Sequence, residues 1–462
     1  MSRSTTTAMA FGIFSCVAGS LVGHLPAALG AGTAQAQAQG PAPAGVPLTT
    51  KRPAPIPPPS EPADPGFDIK NFVANTDQAI QLFEARVKAN PNDGASYQYL
   101  GEIYERKAKE SGGLVLYRKA EVALRRSLEL LPGDRRAEAT LAAVLCSRHK
   151  FSEALAIANK QRRENPSDID ALTTQCDALL ELGRYPEAEA ALDQLHRLAP
   201  VPQVLARLAN LAEMRGDVAG ALALMHKALD DVRKKGTPKQ AAWFQARLGD
   251  MLFDAGKLDE AEALYKAVPE GVDARHDATF GLGKVLAARG KNAEAVEQFR
   301  KAVAIGPDLH MLAGLGDVYA KIGDLAKADE TYKRLEKEAE SQAEHARDVV
   351  YFNADHDRDL PRALELARKE LASRADVFTR DAFAWALFKN GRTEEAARAI
   401  DEALKVGTKD AKVQYHAGLI HAKLGDRDKA RAYLTRALAT NPHFSILGPD
   451  KARAALSALD RK

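Results

Sequence analysis

From position 75 onward apolar residues recur three and four places apart, the spacing of a helix buried along one side, and the helices they predict come in pairs. The clearest example lies between residues 381 and 442. With a step of about 34 residues, Gly391 falls on Gly425, Ala396 on Ala430, Ile400 on Leu434 and Ala403 on Ala437. Small residues let two backbones approach: Ala384 or Gly418 on a first helix, Ala396 with Ala403 or Ala430 with Ala437 on a second. Phe383, Leu387, Ile400 and Leu434 fill the space around them. One helix pair exposes more apolar surface than its partner covers and cannot offset the entropy of ordering itself, so stacking on neighbours is obligatory.

The same pattern runs back through the chain. A half unit with Ala79, Phe83 and Pro91 is expected to cap the start. Tyr97, Leu100, Gly101 and Tyr104 open the first whole unit, whose second helix is delayed by an insertion around 111–113. Leu141 and Ala154, Leu172 and Ala188, and Leu205 and Ala221 mark the next three units, and Leu248-Gly249, Leu282-Gly283 and Leu315-Gly316 mark the fifth to seventh. The eighth unit, roughly 344–375, departs most, because Tyr351 stands where glycine or alanine is expected. Such local departures mark function or strain. An amphipathic segment at 449–459 is expected to cover the exposed end of the stack.

This spacing resembles the tetratricopeptide repeat. The resemblance implies an all-α, right-handed superhelical solenoid of about ten helix–turn–helix repeats over residues 70–445, a capping helix over 446–462, and a concave groove lined by first helices. Members of that family mostly bind proteins or peptides, and they line the groove with residues two, five, nine, twelve and thirteen of each unit. Here those places hold His345, Asp348, Phe352, Asp355 and His356 in unit eight, Phe378, Asp381, Trp385 and Phe388 in unit nine, and Tyr415 in unit ten. Earlier units give a mixed set that includes Glu181, Trp243, Asp250 and Asp254. Aromatic rings supply contact area at low entropy cost, and the interleaved carboxylates favour a basic or amine-bearing partner. The alternative is that the rings pack down between helices and the acids form a solvated face.

Composition narrows the class. The 65 lysines and arginines nearly balance 62 aspartates and glutamates, a formal net charge of +3 with no long block of one sign. A nucleic-acid surface concentrates basic charge, so a protein or peptide partner is expected instead. Residues 1–38 read as a signal peptide: an early cation at Arg3, an apolar middle without acids, and small residues for cleavage at Ala36 or Ala38. His24 and Pro26 interrupt the apolar run, against a permanent membrane helix, and Phe14 is too bulky for a lipoprotein cleavage box before Cys16. Export to the periplasm or medium follows, with no integral membrane segment after cleavage. Residues 39–69 are Pro/Ala-rich and read as a semi-stiff, disordered linker.

Catalytic motifs are missing from the sequence. Gly281-Leu282-Gly283-Lys284 lacks the glycine and the serine or threonine of a phosphate loop, since Ala278 and Val285 stand there. Gly-x-Ser-x-Gly, His-Glu-x-x-His and Cys-x-x-Cys do not occur. His345 with Asp348, and His356 with Asp355, offer imidazole and carboxylate ligands of the kind zinc takes. The two histidines would lie about 16 Å apart along an ideal helix, so a site would need Asp381 as well. His416 and His421 read as core or surface residues, and Cys146 and Cys176 as free thiols pointing apart. The leading expectation is a non-catalytic interaction scaffold of the cell envelope with no cofactor. The alternatives are an accessory factor for assembly or maturation of an envelope complex, and a metal- or small-ligand-binding activity centred on His356 and Asp381.

Overall fold

The computed structural model describes residues 76–461, apart from 112–113, 273, 307 and 341–345. The leader, Cys16, the proline-rich linker and His345 lie outside the described residues.

Twenty-two helices and no strand occur among them. A single helix, α1 (Thr76–Ala89), precedes ten helix pairs. The first four pairs are α2 (Gly94–Ser111) with α3 (Leu114–Leu130), α4 (Arg135–Ser147) with α5 (Phe151–Glu164), α6 (Ile169–Glu181) with α7 (Tyr185–Leu198), and α8 (Pro202–Met214) with α9 (Val218–Lys235). Next come α10 (Pro238–Asp254) with α11 (Leu258–Lys266), α12 (Arg275–Ala288) with α13 (Asn292–Ile305), and α14 (Leu309–Lys321) with α15 (Leu325–Glu340). The last are α16 (Ala346–Asp355) with α17 (Leu360–Ser373), α18 (Val377–Lys389) with α19 (Thr393–Leu404), and α20 (Ala411–Leu424) with α21 (Arg427–Thr440). The closing helix α22 (Gly448–Asp460) buries Ala452 and Leu459 against Tyr415, Leu434 and Ala437.

A recurring device joins the pairs. Tyr265 of α11 lies between two first helices that each carry glycine: a Cβ on Gly249 would sit 2.7 Å from its ring, and one on Gly281 2.3 Å. Its hydroxyl donates to Asp250 at 2.7 Å. The Leu-Gly-Asp sequence that supplies glycine and acceptor recurs at 315–317, where Tyr332 packs on Gly316 and donates to Asp317 at 2.8 Å. The glycine makes room for the ring and the aspartate satisfies the phenol that burial would otherwise leave unpaired. Between units three and four a different bond serves: Arg207, fully buried, grips Asp177 through Nε at 2.7 Å and Nη2 at 2.9 Å.

The turns inside the pairs mostly use glycine at positive φ, as at Gly183, Gly216, Gly256 and Gly391. Unit two turns on His149 (φ 55°) instead, and unit eight on Asp357 (φ 55°) and Asp359 (φ 31°). Asp359 still caps α17 by accepting from the Arg362 amide.

Small rotations between successive units add up until the stack meets itself. The Ala375 amide donates to the Glu181 carbonyl at 3.0 Å and the Val377 amide to the Tyr185 hydroxyl at 2.8 Å. Further along, Asn441 Nδ2 donates to the Phe253 carbonyl at 2.9 Å across 188 residues. Three turn glycines, in units three, four and five, fit beneath the loops that follow units eight, nine and ten. A Cβ on Gly183 would lie 2.4 Å from the Ala375 oxygen, one on Gly216 2.3 Å from the Gly407 oxygen, and one on Gly256 3.1 Å from the Thr440 oxygen. Gly323, Gly391 and Gly425 turn the same way with nothing within 4 Å. Met214 of α8 joins the apolar cluster that holds Val377 and Val413, so the seam has an apolar component as well.

Candidate functional site

The seam turns the concave side of the solenoid into a channel. Its main cavity, about 980 Å³, is lined by first helices from α6 to α20, by Arg106 and Lys109 of α2 and, on one side, by the seam loops with Asp376, Thr408, Asp410 and Asn441. A second cavity of about 400 Å³ adjoins it and shares His310, Asp348, Tyr351, Lys412 and Phe444. Rings of Phe253, Phe280 and Phe444 with the small residues Ala287, Ala313 and Gly314 give this second space an apolar wall.

Of the residues expected to line the groove, Asp348, Phe378 and Asp381 border the main cavity, and Asp348, Phe352, Asp355 and His356 the second. Trp385, Phe388 and Tyr415 border neither. Trp385 and Tyr415 are buried. Trp385 stacks on His416 with centroids 4.1 Å apart and on Phe388 at 5.2 Å, while Tyr415 packs against Phe444 at 5.1 Å.

These residues form one network across units eight to ten. Asp355 accepts from the Trp385 indole at 2.8 Å and from Lys412 at 3.0 Å. The Lys412 ammonium lies 4.1 Å from the centre of the Tyr351 ring, a cation–π contact. The Tyr351 hydroxyl reaches both the Phe378 carbonyl and Asp381 at 2.8 Å. Asp381, with no solvent exposure, also accepts from His416 Nδ1 at 2.9 Å. Burial works to raise the Asp355 carboxyl, but Lys412 and His416 beside it hold it below the usual range. Tyr351, the residue out of pattern in the sequence, is therefore the hinge of this network.

His356 belongs to a separate pair. Its Nε2 contacts Asp317 at 2.6 Å and its Nδ1 the Phe352 carbonyl at 2.8 Å. Burial opposes its charge, yet two acceptors on one ring favour the imidazolium and raise its pKa. His356 and Asp381 thus have different partners, and no group of three or more His, Cys, Asp or Glu side chains among the described residues is placed to hold a metal ion. His416 and His421 are both core residues, and Cys146 and Cys176 are buried free thiols. Cys146 packs with Leu145 and Leu172 in the first apolar cluster.

Several carboxyls of the channel wall are raised by burial. Burial pushes Asp254 up to about 7, with Glu213, Asp250 and Asp410 adding to the rise and Lys284 opposing it. Asp277 also reaches about 7 by burial, against the pull of His276. Asp410 is raised by burial despite capping α20. Sequence reasoning named Asp254 but not Asp277 or Asp410. Lys412, at the second place of unit ten, had the positional signal that Asp348 and Phe378 carry and went unread.

A closed stack of helix pairs around an internal channel defines an α-solenoid of the protein-binding class. A family model described as tetratricopeptide repeat matches residues 173–235, 246–310 and 382–443, and a second of the same description matches 309–341. The model for anaphase-promoting complex, cyclosome, subunit 3 matches 115–195. The chain belongs to the tetratricopeptide repeat family. Unit eight lies between the matched segments, in keeping with its divergent sequence.

Among curated relatives, the chain is 27% identical over 313 residues to cellulose synthase 2 operon protein C of Komagataeibacter xylinus, covering 62% of this chain and 23% of that protein. It is 25% identical over 199 residues to DnaJ homolog subfamily C member 3 of Gallus gallus, 40% of each. The match spans well under two thirds of either relative. Solved structures that resemble it include a tetratricopeptide repeat protein from Parabacteroides merdae (TM-score 0.41, 20% identity, covering 50% of this chain and 87% of that one). Another is the APC/C hetero-tetramer Cut9-Hcn1 (TM-score 0.35, 13% identity, 83% and 93%). No described helix is long and apolar enough to cross a membrane.

Proposed function

We propose that this protein is a non-catalytic scaffold of the cell envelope that takes an extended segment of a partner polypeptide into the channel. The observation that carries the reading is the cavity of about 980 Å³ with its adjoining space of about 400 Å³. Together they exceed the usual small-ligand site and have the partly aromatic lining that suits a peptide. Asp254, Asp277 and Asp410, raised by burial, favour lysine or arginine on that segment. The reading of residues 1–38 as a signal peptide supports export. Likeness to a protein named for a cellulose synthase operon supports a role beside an envelope complex, as an accessory to its assembly.

Photo-crosslinking tests this. A benzophenone amino acid placed at Trp243, on the channel wall, is expected to capture a partner in cells, and the same group at the exposed Val122 is not. Asp254→Ala with Asp277→Ala should weaken the capture several-fold. Crosslinks from position 122 alone would place the binding surface outside the channel and sink the proposal.

A further inference from the structure

The seam carries a charge arrangement that the stacking of repeats does not require. Arg374 is almost completely buried and lies 3.4 Å from Glu181 across the seam, 3.1 Å from Glu370 and 4.0 Å from Asp376. Arg347, also buried, reaches Asp376 at 3.1 Å. Three carboxyls therefore face two guanidiniums. Of the neighbouring charges, Asp177 is taken by Arg207, Asp348 adds a further negative charge beside Glu370, and Arg380 directs its Nε to the Ala375 carbonyl at 2.9 Å. Arg106 and Lys109 line the same cavity from α2, and Lys109 pairs with Glu105 at 2.5 Å. One carboxyl in the closed seam is left with a charge that the low-dielectric surroundings disfavour, and a proton removes it.

We propose that the seam is a proton-linked clasp: a proton held by the Glu181–Arg374–Asp376–Glu370 network keeps the two arcs of the solenoid joined, and its loss parts them and opens one wall of the channel. Burial places the proton on Glu181, whose carboxyl is pushed up to about 7, with Asp376 and Asp177 adding to the rise and Arg374 and Arg347 opposing it. Glu370 is raised for the same reason, whereas the two arginines and Thr379 keep Asp376 below the usual range. Tyr185, whose hydroxyl accepts from the Val377 amide, is raised by burial and stays a neutral phenol throughout.

Among the described residues the contacts that would part include the Glu181–Arg374 ion pair, the hydrogen bonds from Ala375, Val377 and Asn441, the glycine approaches at 183, 216 and 256, and the packing of Met214 and Tyr185. Glu181 and Asp376 themselves line the main cavity, so parting the arcs at this point exposes it. When the seam opens, Glu181 regains water and its ordinary pKa. The closed form thus binds more protons, and closure weakens as pH rises from the ordinary carboxylate range through 7. The device holds whatever the channel contains.

Hydrogen exchange on the full-length protein tests it, because the Ala375 and Val377 amides donate across the seam. The segment spanning them is compared at pH 6 and pH 8.5 with Glu181→Gln, which keeps the shape of the side chain and removes its titration. Protection in the parent is expected to fall about tenfold between the two pH values beyond the change in the variant, with the interior of α6 unaffected. Equal behaviour of parent and variant overturns the proposal. Gly183→Ala, with Gly391→Ala as a control of matching φ and open surroundings, probes the seam independently. Loss of protection at 375–377 in the first and not the second is expected at both pH values; full protection in Gly183→Ala also overturns the clasp.

Discussion

Asp381 shows how a residue that looks like a binding group can be a structural one. Its carboxylate, closed off from solvent, holds Tyr351 of unit eight and His416 of unit ten. Asp381→Ala leaves a buried imidazole without its acceptor and the Tyr351 phenol with the Phe378 carbonyl alone, and we expect about 2–4 kcal/mol of destabilisation in urea unfolding. Loss of partner binding in that variant would report repacking rather than contact, so Asp254 and Asp277 are the better probes of the channel. Their folded pKa values near 7 lie above the ordinary aspartate range. The folded state therefore holds more protons at mildly acidic pH, and stability declines as pH rises to about 7. Asp254→Asn with Asp277→Asn is expected to narrow the fall in Tm between pH 5 and pH 8, measured by circular dichroism. An unchanged fall would mean that both carboxyls are fully solvated.

At the scale of the helix pair, the packing of a second-helix tyrosine between first-helix glycines sets how close neighbouring units come. Gly281→Ala puts a methyl group 2.3 Å from the Tyr265 ring, and overpacking of this kind costs about 1–3 kcal/mol. The ring cannot retreat without losing Asp250 and striking Gly249. Gly323→Ala meets nothing within 4 Å and suffers only its positive φ of 82°, about 1 kcal/mol. Thermal unfolding should rank the two in that order, with the first variant also loosening exchange in α10 and α12.

The molecule as a whole is held by contacts that no single unit contains. Gly216→Ala drives a methyl group 2.3 Å into the Gly407 carbonyl, whereas Gly425→Ala, with an even larger positive φ of 92°, meets nothing. The first is expected to enlarge the radius of gyration in small-angle scattering by opening the seam, and the second to leave it unchanged. If both leave it unchanged, the seam tolerates local distortion and these glycines serve only their turns.

The ten helix pairs, their turns and the close glycine contacts were legible in the sequence because each depends on residues within one or two units. Gly391, Ala396 and Ile400 announce their roles by recurring as Gly425, Ala430 and Leu434. Some of the positions read as groove-lining border the cavity, among them Asp348, Phe378 and Asp381. The inward turn of Trp385 and Tyr415 was not legible, since an aromatic residue on a first helix has the same sequence signature whether it meets solvent or the next unit. Nor was the seam. Superhelical pitch is the sum of small rotations fixed by side-chain volumes at every interface, and only after about five units does that sum bring Gly183 beneath Ala375. The sequence determined a solenoid; the accumulated geometry of its interfaces decided that the solenoid closes, and with it which acids share a channel.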